Sequence, residues 1–213
     1  MKTHISKLTV LASLILSVAS QAATPTTELK VKGKIGVPSC TVIAPNNGVY
    51  DMGRLSATNV KAGTTVTALP EMKKNWTITC DSTTYLSLSS VDNRLASVSD
   101  ATSTRNYGLG NINRTGKIGF YTVILSNASV DGTSTSMYYR VGTGAATLGT
   151  SLYLVNGYTY GWSNSTSTAN FGKTLSADIA VTPTLAGTST MNGPITEDSN
   201  IDGSLTMNFS FGI

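Results

Sequence analysis

From residue 205 to residue 213 the side chains alternate without a break. Leu205, Met207, Phe209, Phe211 and Ile213 fall on one side of an extended chain, and Thr206, Asn208, Ser210 and Gly212 on the other. Successive side chains of a strand point to opposite faces, so this pattern describes a half-buried strand and does not fit a helix of period 3.6. Termini fray unless they are tied into a sheet, and a strand this apolar at the last residue demands a sheet to receive it. The same two-residue period recurs throughout, in short runs separated by clusters of Gly, Asn, Ser and Thr. Helical periodicity is hard to find, and the chain reads as all-β, a sandwich or barrel.

Individual elements follow from this period. Thr27, Leu29, Val31, Gly33, Ile35 and Val37 share one face, with Lys30, Lys32 and Lys34 on the other, which predicts a half-buried strand with a charged outer face. Asn46-Asn47-Gly48 signals a turn, after which residues 49–55 resume an extended run. Trp76 and Ile78 alternate towards Cys80, placing that cysteine at a strand end. Further strands are expected over 85–91, 118–125, 137–141, 152–155 and 158–162, with Asn156-Gly157 as a hairpin turn between the last two. Leu175, Ala177, Ile179 and Val181 share the face of another. Most of residues 92–116, with Arg94, Arg105 and Arg114, reads as a long connection, and 183–193 as a loop punctuated by Gly and Pro.

Residues 1–22 read as a secretory signal. Lys2 and Lys7 supply the positive start, an apolar run extends from Leu8 to Val18, and Ser20-Gln21-Ala22 presents small residues where a signal peptidase reads them. The run is shorter than the roughly 20 apolar residues a spanning helix needs, so no stable membrane insertion is expected. The expected organisation is a signal peptide over 1–22, an N-terminal arm over 23–36 and one body domain over 37–213. Only 12% of the residues are charged, against about 25% in an ordinary soluble protein. Without Lys2 and Lys7, 13 basic side chains face 11 acidic ones. That thin balance offers no basic stripe for phosphates, and nucleic acid is not an expected partner.

Export also removes His4, the one histidine of the chain. The mature chain then lacks the parts of a Ser-His-Asp triad, a Cys-His pair or a histidine-ligated metal site. Its two cysteines, Cys40 and Cys80, enter an oxidising compartment, where one disulfide is expected. A carboxylate-only enzyme would need a pair of acids facing one bond, but the only adjacent acids, Glu197 and Asp198, point apart in extended chain. No enzymatic activity and no cofactor are expected. Asp198, Asn200, Asp202 and Gly203 match the opening of a calcium loop, yet Phe209 stands where the bidentate Glu belongs, and a polar turn is the better reading. Six aromatics crowd residues 138–162. Tyr158 and Trp162 are the candidate glycan contacts among them if the protein binds sugar.

Several short motifs together resemble the pilin subunits of bacterial chaperone–usher fimbriae. After the signal peptide, an alternating arm leads through Gly33-Lys34-Ile35-Gly36-Val37-Pro38-Ser39 into Cys40. Tyr50-Asp51-Met52-Gly53-Arg54-Leu55 follows, then Asn75-Trp76-Thr77-Ile78-Thr79-Cys80-Asp81, and finally the apolar C-terminal strand. Cys80-Asp81 and Val91-Asp92-Asn93-Arg94 make the chain look most like an enterobacterial fimbrial-like group described as beta-fimbrial major subunits, a domain of unknown function. The resemblance implies an immunoglobulin-like sandwich lacking its last strand. It implies as partners a periplasmic fimbrial chaperone, an outer-membrane usher, and copies of the chain or sister subunits. It further implies passage through the periplasm to a fimbrium at the cell surface. By position, Leu29, Val31, Gly33 and Ile35 become donor-strand side chains. Leu205, Met207, Phe209, Phe211 and Ile213 become the acceptor edge that the chaperone reads. The chain departs from the pilin pattern in having Gly212 where a penultimate tyrosine is usual, and only residues 23–39 before Cys40 once the signal is removed. A soluble, self-completed periplasmic sandwich and a carbohydrate-binding adhesin are the alternative expectations.

Overall fold

The computed structural model describes residues 25–211. The expected signal segment over 1–22 lies outside the described residues, as do Gly212 and Ile213. The chain forms two units, one ending at Gly36 and the other running Val37–Ile213.

In the first unit, residues 25–36 carry no regular secondary structure and are exposed. Leu29, Val31 and Ile35 are 85%, 90% and 103% exposed. The strand expected over 27–37 therefore does not form in the isolated chain. Alternation makes a segment fit for a sheet, but a strand exists only where a neighbour supplies ladder hydrogen bonds and a surface for its apolar face.

The second unit is an all-β, antiparallel sandwich. Its strands are β1 (Cys40–Ile43), β2 (Thr67–Ala68), β3 (Met72–Thr84), β4 (Leu86–Asp92), β5 (Tyr107–Gly108), β6 (Asn111–Ile112), β7 (Gly116–Lys117), β8 (Gly119–Val130), β9 (Thr133–Ser134), β10 (Met137–Arg140), β11 (Thr147–Gly149), β12 (Ser151–Tyr153), β13 (Thr159–Trp162), β14 (Gly172–Leu185) and β15 (Leu205–Phe211). One sheet has the order β1-β3-β14-β8-β12, with β2 on β14 and β5 and β9 on β8, and the other the order β11-β10-β13-β4-β15. β6 and β7 pair as a separate ribbon.

The inner faces meet in one core. Ile78, Val123, Leu125, Leu175 and Ile179 from the first sheet join Leu86, Leu88, Met137, Tyr160 and Trp162 from the second. Trp162 Nε1 donates to the Ser176 carbonyl at 2.7 Å, a hydrogen bond between the sheets. Tyr160 is fully buried, and its hydroxyl accepts from Val155 N–H and donates to the Tyr153 carbonyl. These polar atoms are buried only because each finds a partner.

Most expected strands are present near their expected positions, and four readings need correction. Asn156-Gly157 is not a hairpin turn: β12 pairs with β8 in one sheet and β13 with β10 and β4 in the other, so the turn crosses between sheets. β3 does not end at Cys80 but continues to Thr84. β14 runs through Pro183 to Leu185, where a loop was expected. Proline lacks only the donor, and the Pro183 carbonyl still accepts from Leu69 N–H at 2.9 Å. Residues 49–55 join no sheet.

Candidate functional site

β15 has a single hydrogen-bonded neighbour, β4, with which it pairs from Leu205↔Asp92 to Phe211↔Leu86. Its other edge is free among the described residues. Along the strand the apolar side chains are half-buried and the polar ones exposed, so the face expected to be core is only partly covered.

Beside that edge opens a cavity of about 1050 Å³. Leu205 and Met207 form its border on the β15 side. Trp76 of β3, Val123 of β8, Ile179 and Val181 of β14, Ile195 and Ile201 from the segment before β15, and residues 48–57 complete its lining. Phe209 and Phe211 continue the β15 face beyond the cavity and pack against the core. Ile213 lies outside the described residues.

The Tyr50-to-Leu55 motif forms part of the cavity's border. Trp76 Nε1 donates to the Tyr50 hydroxyl at 3.2 Å, and that hydroxyl donates to the Ile179 carbonyl at 3.0 Å. Burial is the main cause pushing the Tyr50 hydroxyl up to about 12, so it stays protonated and keeps its role as donor. Lys74 sits over the Tyr50 ring and donates to the Val49 carbonyl. Asp51 accepts from Gly53 N–H at 2.8 Å, closing a tight turn in which Gly53 takes φ +64°. The irregular segment is thus held by side chains rather than by a ladder. Arg54 reaches Asp198 at 3.0 Å, a contact between the two flanks of the groove.

The other motifs anchor the surroundings. Cys40 and Cys80 are direct partners in the β1–β3 register and form the expected disulfide. Asp81 accepts from Ser39 N–H at 3.0 Å and returns its own N–H to the Ser39 carbonyl, extending the pairing past the disulfide. In Val91-Asp92-Asn93-Arg94, the buried Asp92 carboxylate accepts from Arg94 N–H and Gly108 N–H. Asn93 Nδ2 donates to Ser204 and Thr206 hydroxyls, and Arg94 pairs with Asp202 at 2.7 Å. This motif moors the chain entering β15.

Sequence reasoning missed Ile195 and Ile201, which sit among turn residues and carry no periodic signal. The sugar-contact reading is corrected at Trp162, which is 2% exposed with its indole N–H spent inside the fold. Tyr158 is half-buried and stacks on Tyr139 at a centroid distance of 5.9 Å. Tyr138, Tyr139, Tyr158, Tyr160 and Trp162 pack against the core or one another, whereas Tyr153 is exposed with the Arg105 guanidinium 4.4 Å over its ring. In the calcium-like segment Asp198 and Asp202 each face an arginine, and the described residues hold no group of three or more acid, Cys or His side chains fit for a metal.

Residues 29–104 match a protein family described as "Protein of unknown function (DUF1120)". That stretch contains the arm from Leu29 onward, both cysteines, the Tyr50-to-Leu55 segment and Val91-Asp92-Asn93-Arg94. No curated protein matches the chain. No helix among the described residues is long and apolar enough to cross a membrane.

Proposed function

We propose that the protein is a non-enzymatic structural subunit of a surface fimbria, exported to the periplasm and polymerised by donor-strand exchange. The observation that carries this reading is the apolar groove beside the free edge of β15. A free edge offers unpaired backbone donors and acceptors, and an uncovered apolar trough beside it is an aggregation hazard unless another strand fills it. Strand addition satisfies both needs at once, because main-chain hydrogen bonds give affinity and alternate side chains fill the pockets. In this reading a periplasmic chaperone covers the groove first, and at an outer-membrane usher an N-terminal arm replaces it. Leu29, Val31, Gly33 and Ile35 are the donor side chains, with Leu205 and Met207 the acceptors nearest the groove.

The test is expression of the mature chain in the periplasm with and without a co-expressed fimbrial chaperone. The expected result is aggregation or degradation alone and a soluble one-to-one complex with the chaperone. Met207→Asp should abolish recovery of that complex. Deleting residues 24–31 should leave capture intact and stop polymer growth, which separates a lost donor from a lost fold. A stable, reversibly melting monomer made without the chaperone would overturn the proposal.

A further inference from the structure

A second cavity, of about 530 Å³, is lined by the β6–β7 ribbon, by Arg94 and by the chain leading into β15. Small-molecule sites span about 300–1,000 Å³. Ile112 is the one apolar side chain of the lining, and the rest is polar or glycine. Part of this lining is held rigidly. Arg94 donates through Nε to the Asp202 carbonyl at 3.3 Å and through Nη2 to the Asp202 carboxylate at 2.7 Å. Gly110, at φ +98°, lets that carboxylate lie against its backbone, since a Cβ there would sit 2.0 Å from Asp202 Oδ1. The turn of the ribbon supplies a second arginine. Asn113 and Arg114 stand at φ +48° and +71°, and Asn113 Nδ2 donates to the Met191 carbonyl at 2.9 Å. Left-handed backbone suits glycine and asparagine, so an arginine at this position costs stability that a glycine would not. Arg114 is exposed, and no ion pair or side-chain hydrogen bond among the described residues offsets that cost.

We infer that this cleft binds a neutral saccharide, held at its hydroxyls by the guanidinium of Arg114, the carboxylate of Glu197 and the amide of Asn200. The site does not depend on a strand filling the groove beside β15, although Glu197, Ser199 and Asn200 border both cavities. A sugar hydroxyl donates and accepts at one oxygen, so its site must offer both kinds of partner. Guanidinium only donates, carboxylate only accepts, and amide and hydroxyl do both. The side chains of Arg114, Glu197, Ser199 and Asn200 supply all of these, are exposed, and are unspent among the described residues. Hydrogen bonds to the two charged groups are the stronger ones, which suits a cleft without a stacking ring. Charge decides against an ionic ligand. Arg94 is matched by Asp202, which leaves Arg114 against Glu197. Of the charged neighbours in the chain, Lys117 spends its ammonium on the Val98 carbonyl and Asp198 pairs with Arg54. A phosphate or carboxylate meets no net positive field there, and a lipid meets a single apolar side chain.

The test is saturation-transfer NMR on the mature chain, purified free or chaperone-bound as expression yields it. The probes are mannose, galactose, glucose and N-acetylglucosamine, each at about 10 mM, with glucuronic acid and inorganic phosphate as charged comparators. The expected result is binding of at least one neutral sugar and of neither charged probe. Arg114→Gly removes the side chain and its backbone cost together. It should weaken sugar binding about tenfold or more without lowering the melting temperature. Glu197→Gln keeps the shape and removes the charge, and should also weaken binding with melting unchanged. Binding of no neutral sugar, or equal affinity in Arg114→Gly and the unaltered chain, would overturn the site. Binding of a charged probe in preference to every neutral sugar would overturn the ligand class. A lower melting temperature in Arg114→Gly would make Arg114 a support of the fold and overturn its role as a ligand contact.

Discussion

Asp92 shows how much one side chain decides. It is 7% exposed, and its two carboxylate oxygens accept from Arg94 N–H at 2.8 Å and Gly108 N–H at 2.9 Å. Asp92→Ala leaves the buried Gly108 N–H and the part-buried Arg94 N–H without a partner. A buried loss costs about 1–3 kcal/mol and the part-buried one less, so the variant should unfold about 1–4 kcal/mol more easily. The check is the urea midpoint, with Asp81→Ala for comparison. Asp81 also accepts a backbone N–H, but from the surface, where water replaces it. The smaller effect belongs to Asp81, and equal effects would refute the role given to burial. The motif containing Asp92 was visible in the sequence as a likeness between short stretches. Its physical role was not visible, because Gly108 and Ser204 become neighbours of residues 92 and 93 only through the fold.

Among elements, legibility followed the hydrophobic pattern and stopped where pairing took over. β15 and the buried face of β14 were readable because one face meets core and the other meets water or polar neighbours. The hairpin expected at Asn156-Gly157 failed because two strands and a good turn do not say whether both strands join the same sheet. Residues 25–36 failed for the converse reason: they have a strand's pattern and no partner within the described fold. The disulfide was legible from counting alone, and its position explains its function as an element. It lies across β1 and β3 immediately before the segment that borders the groove. Closing a loop over a sequence separation of 40 residues contributes about 4 kcal/mol in the chain-entropy model. Cys40→Ser with Cys80→Ser should therefore lose about that much stability in denaturant titration. Hydrogen exchange in residues 40–55 should rise more than in β8 or β14. A uniform rise across the sandwich would mean that the disulfide does not localise its effect at the groove.

The groove itself belongs to the scale of the whole molecule. Its parts lie between residues 48 and 207 and reach one place only when both sheets have formed, so no local pattern announces it. What the sequence did carry was a surplus: two alternating apolar segments, over 27–37 and from 205 onward, more strand pattern than the described residues pair. In the structure that surplus appears as exposed Leu29, Val31 and Ile35 and a half-covered β15. The consequence can be measured amide by amide. β14 lies between β3 and β8 and is hydrogen-bonded on both sides, whereas β15 is bonded to β4 alone. Those β15 amides that point to the free edge have no partner among the described residues, and local opening needs only the loss of one ladder. Exchange at residues 205–211 should be fast in the isolated chain. On the proposed function, it should slow by about tenfold or more when a synthetic peptide of residues 24–36 is added, with β14 unchanged. Protection of β15 equal to that of β14 before any peptide is added would mean that the edge is already paired, and the assembly reading would fall with it.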